Sequence, residues 1–223
     1  GSYALGQQKR WSDVDIGVYF KGKHIAHFSK IVDINGHRLV SFICRNTEKV
    51  KQDLKDPYNW IFFVKRIHQA KRIYQKKRAF DEFRLFIEKH KPHPKDFLQY
   101  TSKFLADILE YLGKTRNTKE KLLQNKYAVT VAVSCFWLLT PLNSIKPYDQ
   151  KNELKFYLQL KIKPKPFDDL FTKIFLEKSK NYKKDARLLA LNTIQFVQEK
   201  CVFNRCRVPL VKEAIKNNRI YEL

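Results

Sequence analysis

Two aspartates, Asp13 and Asp15, lead into the apolar stretch Ile16-Gly17-Val18-Tyr19-Phe20. In a β-strand alternate side chains project from the same face, so this spacing places both carboxylates on one face of a strand. Neighbouring carboxylates repel each other unless a cation binds them, and Mg²⁺ is held by one or two carboxylates together with water and substrate phosphates. The pair therefore predicts either a metal site or a solvated strand end, and for an isolated Asp-x-Asp the second is the commoner case.

The dipeptide Gly1-Ser2 stands at the start of the chain, before a polar turn and Ser12. A glycine lets the backbone approach a phosphate closely, and a small hydroxyl side chain adds a hydrogen-bond donor. Gly-Ser at a terminus is also a common expression remnant. Because the aspartate pair follows it, we expect Gly1, Ser2 and Ser12 to bind the phosphates of a nucleotide.

This order of residues resembles the signature of the DNA polymerase beta-like nucleotidyltransferases: Gly-Ser, an intervening turn, Asp13, an apolar residue, Asp15 and Ile16. The resemblance implies an α+β fold, in which a mixed sheet with flanking helices is followed by an α-helical bundle domain. In that superfamily a helix and a strand precede the glycine, so the resemblance also implies that this chain begins inside the fold.

A second cluster of charged residues lies on a predicted helix, where Glu110 and Lys114 are four residues apart and Asp107 is one turn earlier. This spacing puts all three on one helical face. The ordinary interpretation is a solvated Glu–Lys pair, which contributes little to stability. However, the surrounding segment is similar to the kanamycin (aminoglycoside 4'-) nucleotidyltransferase group, and it reads Glu110-Tyr111-Leu112-Gly113-Lys114-Thr115-Arg116-Asn117.

This resemblance implies a role for each group. Asp13 and Asp15 would hold Mg²⁺ against the triphosphate, Lys114 would contact phosphates, and Glu110 would be the general base. The expected reaction is Mg²⁺-dependent transfer of a nucleoside monophosphate, AMP from ATP, to a hydroxyl group of an acceptor, and the expected assembly is a homodimer. The alternative is a non-catalytic nucleotide- or nucleic-acid-binding protein on the same scaffold.

The chain is strongly basic, with 45 Lys and Arg against 22 Asp and Glu, a formal net charge of +23 over 223 residues. Such a charge attracts nucleotides and nucleic acids, including RNA ends, although a lysine-rich surface alone gives the same composition. Residues 37–45 contain no carboxylate. The resemblance implies an acidic groove in the aminoglycoside enzymes, so we expect an uncharged or anionic acceptor here.

Turn and helix signals divide the chain into two predicted domains. Asn35-Gly36 is the strongest hairpin signal, and the prolines in Lys91-Pro92-His93-Pro94 prevent a helix from continuing. We therefore predict a nucleotidyltransferase domain over residues 1–91 and a helical domain carrying the general base over 92–223. The predicted strands are 14–20, 24–32, 38–44 and 71–75; the predicted helices begin at Thr47 and then cover 60–67, 78–89, 95–116, 118–139, 166–179 and 183–201.

The longest apolar run, residues 127–139, is shorter than a membrane span and predicts a buried core helix. No secretory leader is visible, so we expect a cytoplasmic protein without membrane attachment.

Cys44 and Cys135 lie in apolar runs and are predicted to be core thiols. Cys201 and Cys206 could form a disulfide, but they lack the second ligand pair of a zinc site.

Overall fold

The computed structural model describes residues 3–6, 8, 14–21, 28–34, 38–93, 96, 101–146, 148 and 152–200. The chain divides into two compact units, Gly1–Pro92 and His93–Leu223, called here the first and the second unit. The first contains a mixed sheet with helices and the second is helical, which confirms the predicted α+β class. The assignment of catalysis to the first domain and of the general base to the second stays a prediction.

The sheet of the first unit has three strands, β1 (Val14–Phe20), β2 (Phe28–Ile34) and β3 (Arg38–Asn46), in the order β1-β3-β2. β2 pairs with β3 antiparallel, as expected for a hairpin around Asn35-Gly36, whereas β1 pairs with β3 parallel. The predicted second strand is shifted, because it continues to Ile34, and residues 24–27 and 35–37 lie outside the described residues.

Asn46 ends β3 and begins the next helix, α1 (Thr47–Asp53). Its side-chain oxygen accepts hydrogen bonds from the backbone N–H groups of Glu48 at 2.9 Å and Lys49 at 3.3 Å. These N–H groups have no partner within the helix, so Asn46 satisfies donors that would otherwise be lost. The predicted start of this helix at Thr47 is thereby confirmed.

Two longer helices follow, α2 (Pro57–His68) and α3 (Ala79–Lys89). Pro57 is the first residue of α2, where its missing N–H costs nothing. An aromatic cluster joins β1 to both helices: the Tyr19 ring centroid lies 6.2 Å from Phe63 and 5.3 Å from Phe83. Trp60 donates a hydrogen bond from Nε1 to the Ile87 carbonyl at 3.3 Å, which ties α2 to α3.

The strand predicted at residues 71–75 is wrong, because this segment has no regular secondary structure. Its polar side chains bind the start of α3 instead: Arg72 and Gln75 donate hydrogen bonds to the Asp81 carboxylate at 3.1 and 3.0 Å. Gln75 also accepts a hydrogen bond from the Phe80 N–H at 3.2 Å. The hydrogen bond from Gln75, followed by the charge of Arg72, lowers the pKa of Asp81.

The second unit is built around one long helix, α5, which packs against α4, α7 and α8. Cys135 of α5 is fully buried, and this burial raises the pKa of its thiol to about 12. The elements of this unit are α4 (Thr101–Asn117), α5 (Lys121–Leu139), a 3-10 turn (Thr140–Leu142), α6 (Glu153–Tyr157), α7 (Phe167–Phe175) and α8 (Tyr182–Lys200).

In the part of the chain that the structure describes, one helical segment, Lys121–Leu142, is long and apolar enough to cross a bilayer by length and composition. More than half of its apolar window, 56%, is buried inside the protein. Core helices pass the same test, so this segment is weak evidence for a membrane span. The core helix predicted over residues 127–139 is confirmed by the burial of its second half.

Asn143 is buried directly after the 3-10 turn and holds a distant loop in place. Its amide nitrogen donates to the carbonyls of Leu139 and Ile162, both at 2.9 Å. Its amide oxygen accepts from the backbone N–H groups of Lys161 and Ile162, also at 2.9 Å. One side chain thus satisfies several backbone groups from two separate segments.

The substitution Asn143→Ala should lower the free energy of unfolding by at least about 2 kcal/mol, because it leaves buried backbone groups without partners. Urea denaturation followed by circular dichroism measures this change. Asn192→Ala is the matched control: Asn192 is half-buried and donates one solvent-exposed hydrogen bond to the Leu188 carbonyl, so its loss should cost less than about 0.5 kcal/mol. Equal costs for the two variants would contradict the assigned role of Asn143.

Candidate functional site

Asp15 lies on β1 with its side chain exposed, between the half-buried Val14 and Ile16. This alternation confirms the predicted direction of the Asp15 carboxylate. In the parallel pairing, Asp15 stands opposite Ser41 of β3. An exposed carboxylate is a hard oxygen ligand, and its chemistry fits an Mg²⁺ site completed by water and phosphate oxygens.

Four predicted site residues, Gly1, Ser2, Ser12 and Asp13, lie outside the described residues. The predicted metal pair is therefore represented by Asp15 alone. Within the described ranges, no group of three or more His, Cys, Asp or Glu side chains is placed to hold a metal ion. The roles assigned to the four residues, and the metal pairing of Asp13 with Asp15, stay predictions.

β3, the strand beside Asp15, carries no acidic residue. The sheet brings in another aspartate, Asp33, which the sequence patterns assign to a turn but the structure places in β2. Its backbone is in register with Leu39, two positions before Ser41 on β3. Asp33 thus lies two strands away from Asp15 in the same sheet, and only the strand register, which composition does not encode, could have identified this position.

Glu110 and Lys114 lie on α4 in the second unit and form the predicted ion pair, with Lys114 Nζ donating to Glu110 Oε1. About half of each side chain is exposed, 54% for Glu110 and 42% for Lys114. The ammonium group also lies 4.5 Å from the ring centroid of Tyr111, within the range of a cation–π contact. The structure therefore brings these two predicted residues together, while Asp15 belongs to the first unit.

The charges on this face of α4 influence one another. The hydrogen bond to Glu110 raises the pKa of Lys114, and the charge of Glu110 adds to this effect. Asp107 is half-buried, and burial raises the pKa of its carboxyl group; Lys103 opposes this shift, whereas Glu110 adds to it. The face thus presents a firmly protonated ammonium group next to an exposed carboxylate.

This arrangement has two chemical capacities. A carboxylate in hydrogen-bond reach of a hydroxyl group can accept its proton, which is general base catalysis. An exposed ammonium group can bind a phosphate as a compact positive charge. Both capacities belong to adjacent turns of one helix, and the buried Ile108 and Leu112 anchor the same helix in the core of the second unit.

Gly17 shares the strand face of Asp15 and was not identified from the sequence as a site residue. A Cβ atom added there would lie 3.0 Å from Cε2 of Tyr19, closer than side chains normally approach. A side chain at this position would therefore require the Tyr19 ring to shift, whereas glycine leaves room for the ring along the strand.

Comparisons with known proteins identify a family. Residues 1–221 match the family model of the nucleotidyltransferase domain. No curated protein sequence gives a significant match. Among solved structures, the chain is similar to a nucleotidyltransferase-like protein from Exiguobacterium sibiricum 255-15, with a TM-score of 0.50 and 11% sequence identity, covering 94% of this chain and 67% of that chain. At this identity, the similarity to that structure concerns the fold alone.

The substitution Gly17→Ala should destabilise the first unit by about 1–3 kcal/mol, because the added methyl group displaces the Tyr19 ring. Chemical denaturation of Gly17→Ala is compared with the same change in a Tyr19→Leu background. Without the ring, alanine should be tolerated or slightly favourable in the strand. A cost that is the same in both backgrounds would show that Tyr19 is not the cause.

The substitution Glu110→Gln should lower the pKa of both Lys114 and Asp107, because the charge of Glu110 raises each of them. NMR titration of the Lys side-chain and Asp carboxyl signals measures both values. Since the folded-state pKa of Lys114 is raised, its stabilising contribution is present below the unfolded-state pKa and is lost as pH rises through the folded-state value. The exposed Glu120 offers the control: Glu120→Gln should leave both pKa values unchanged.

Proposed function

Because the chain belongs to the nucleotidyltransferase domain family, we propose that it transfers a nucleoside monophosphate, AMP from ATP, to a hydroxyl group of an acceptor. The match over residues 1–221 carries this proposal, since it spans Asp15, Glu110 and Lys114 alike. Within the family, we assign the chain the arrangement of the kanamycin nucleotidyltransferase group, in which a helical glutamate acts as the general base.

Asp13 and Asp15 are the proposed ligands of Mg²⁺. The exposure of Asp15 at the start of β1 supports this role, because a metal ligand that also faces substrate must be open to solvent. Mg²⁺ bound there would neutralise negative charge on the triphosphate. Gly1, Ser2 and Ser12 are the proposed phosphate contacts on the same stretch of chain.

Glu110 is the proposed general base. Its carboxylate would take the proton of the acceptor hydroxyl while the hydroxyl oxygen forms a bond to the α-phosphorus of ATP. The bond from the α-phosphorus to the β-phosphate bridging oxygen breaks, and pyrophosphate leaves. Lys114 would bind a phosphate group, and its raised pKa supports this role because it keeps the ammonium group charged well above neutral pH.

The acceptor is proposed to be uncharged or anionic. β3 carries two arginines and no acidic residue, and the chain as a whole has a formal charge of +23. A polycationic acceptor would be repelled by such a charge distribution, whereas a neutral or anionic hydroxyl compound would not. A sugar, a phosphorylated alcohol or a protein hydroxyl group therefore fits better than an aminoglycoside.

Removal of the metal ligands should abolish nucleotide binding. Isothermal titration calorimetry with ATP and Mg²⁺ should give binding to the native protein and none to the Asp13→Asn/Asp15→Asn variant, and chelation of Mg²⁺ by EDTA should have the same effect. Asp169→Asn, which removes an exposed carboxylate of α7, is the control and should bind ATP normally. Unchanged affinity in the double variant would overturn the metal assignment.

Loss of the general base should reduce turnover but leave nucleotide binding unchanged. With ATP labelled at the α-phosphate and a panel of hydroxyl acceptors, Glu110→Gln should transfer about 10²–10⁴-fold more slowly than the native protein. Its affinity for ATP, measured by calorimetry, should stay within a factor of about two. Glu120→Gln is the matched control on the same unit, and native turnover in Glu110→Gln would exclude this residue as the base.

A further inference from the structure

A cavity of about 140 Å³ lies in the first unit, where β3, α1 and α2 meet. This is several times the room that one water molecule requires. Its polar lining consists of Arg45 from β3, Asp53 from α1, and Asn59 and Arg66 from α2, and the rest of the wall is apolar. A small cavity with a few convergent polar groups on an apolar wall is typical of a ligand site.

The two arginines of this cavity differ in their ion pairing from other arginines of the same unit. Among the described residues, neither Arg45 nor Arg66 forms an ion pair with a carboxylate. Other arginines of the same unit do: Arg72 binds Asp81 at 3.1 Å and Arg84 binds Glu88 at 3.2 Å. Arg45 and Arg66 thus differ from Arg72 and Arg84, whose charges are paired with carboxylates.

Both guanidinium groups also act on the same neighbour. Arg45 is paired in register with Tyr19, and its Cζ atom lies 5.6 Å from the ring centroid of Phe63. Burial raises the pKa of the Tyr19 hydroxyl, and the charges of Arg45 and Arg66 both oppose this shift. Two positive charges therefore act on one hydroxyl beside a cavity whose lining contains a single carboxylate, Asp53, so that a bound anion would offset the remaining positive charge.

We propose that this cavity binds a small oxyanion, the phosphate or carboxylate group of a small molecule, through the guanidinium groups of Arg45 and Arg66. The planar fork of arginine matches the oxygens of either group with paired hydrogen bonds. Phe63 provides an apolar surface next to Arg45 for the remainder of the ligand. The carboxylate of Asp53 on the same wall opposes a highly charged ligand such as a triphosphate, so the site takes a single oxyanion group.

The cavity is separate from the residue proposed to bind the nucleotide metal. Arg45 pairs with Tyr19, which follows Asp15 by four residues on β1. A strand rises about 3.3 Å per residue, so the two positions are about 13 Å apart along the sheet. The oxyanion site therefore does not depend on the proposed nucleotidyl transfer, and a ligand there would act on the first unit from the opposite end of its central strands.

Titration calorimetry of the full chain with inorganic phosphate, and separately with acetate, tests this proposal. Both titrations are done in EDTA at low ionic strength, and the tighter ligand identifies the oxyanion class. The variant Arg45→Gln/Arg66→Gln should bind at least about tenfold more weakly than the native protein. The control Lys71→Gln/Lys76→Gln removes two exposed positive charges from the same unit outside the cavity, and its affinity should change less than about twofold.

Asp15→Asn separates this site from the nucleotide site and should leave the affinity for phosphate or acetate unchanged. Circular dichroism verifies that each variant folds. If the double arginine variant does not fold, the single variant Arg66→Gln, which changes an exposed residue, is tested instead and should also bind the anion more weakly than the lysine variant. Three results would each overturn the proposal: no binding of either anion by the native protein, equal weakening in the arginine and lysine variants, or loss of binding in Asp15→Asn.

Discussion

The parallel pairing of β1 with β3 is the constraint on which the first unit depends. It aligns Val14 with Val40 at one end and Phe20 with Asn46 at the other, and Thr47 reinforces the second end by donating a hydrogen bond to the Phe20 carbonyl at 3.3 Å. A shift of one residue would exchange the two faces of β1 and move Asp15, Gly17 and Tyr19 together to the opposite face, so that Tyr19 would lose its aromatic partners. The exposure of the Asp15 carboxylate and the packing of Tyr19 in the aromatic cluster therefore both depend on this register.

Because the chain has an excess of positive charge, a lysine or arginine without a carboxylate partner has a different significance at an exposed position than beside a cavity. Twice as many basic as acidic residues means that many lysines and arginines must lack a carboxylate partner. At an exposed position this costs little, since water and salt screen the charge. Arg45 and Arg66 line one cavity and their charges act on the same Tyr19 hydroxyl, so there the same lack of an ion pair supports the proposed oxyanion ligand.

Short sequence patterns correctly predicted those features that depend on residues close together in the sequence. The strand around Asp15, the helix start at Thr47 and the pairing of Glu110 with Lys114 each depend on residues within one turn or one strand, and the structure confirms them. Residues 71–75 have the composition of a strand, but their polar side chains bind Asp81, so tertiary contacts overrode propensity. The four hydrogen bonds of Asn143 span up to 19 residues, and no short pattern encodes such a distance. The cavity arginines come from different elements for the same reason.

The ion pair of Glu110 and Lys114 imposes an order on the proposed reaction. While Lys114 donates its hydrogen bond to Glu110, the ammonium group competes with an acceptor hydroxyl for that carboxylate oxygen. A phosphate that attracts the ammonium group would weaken this hydrogen bond and leave the oxygen open to the hydroxyl. With the roles proposed for these residues, nucleotide binding would therefore precede activation of the acceptor, because the general base would be open to the hydroxyl only when a phosphate is present to be attacked. The pair would then prevent unproductive deprotonation in the absence of nucleotide, which is a function that neither residue could perform alone.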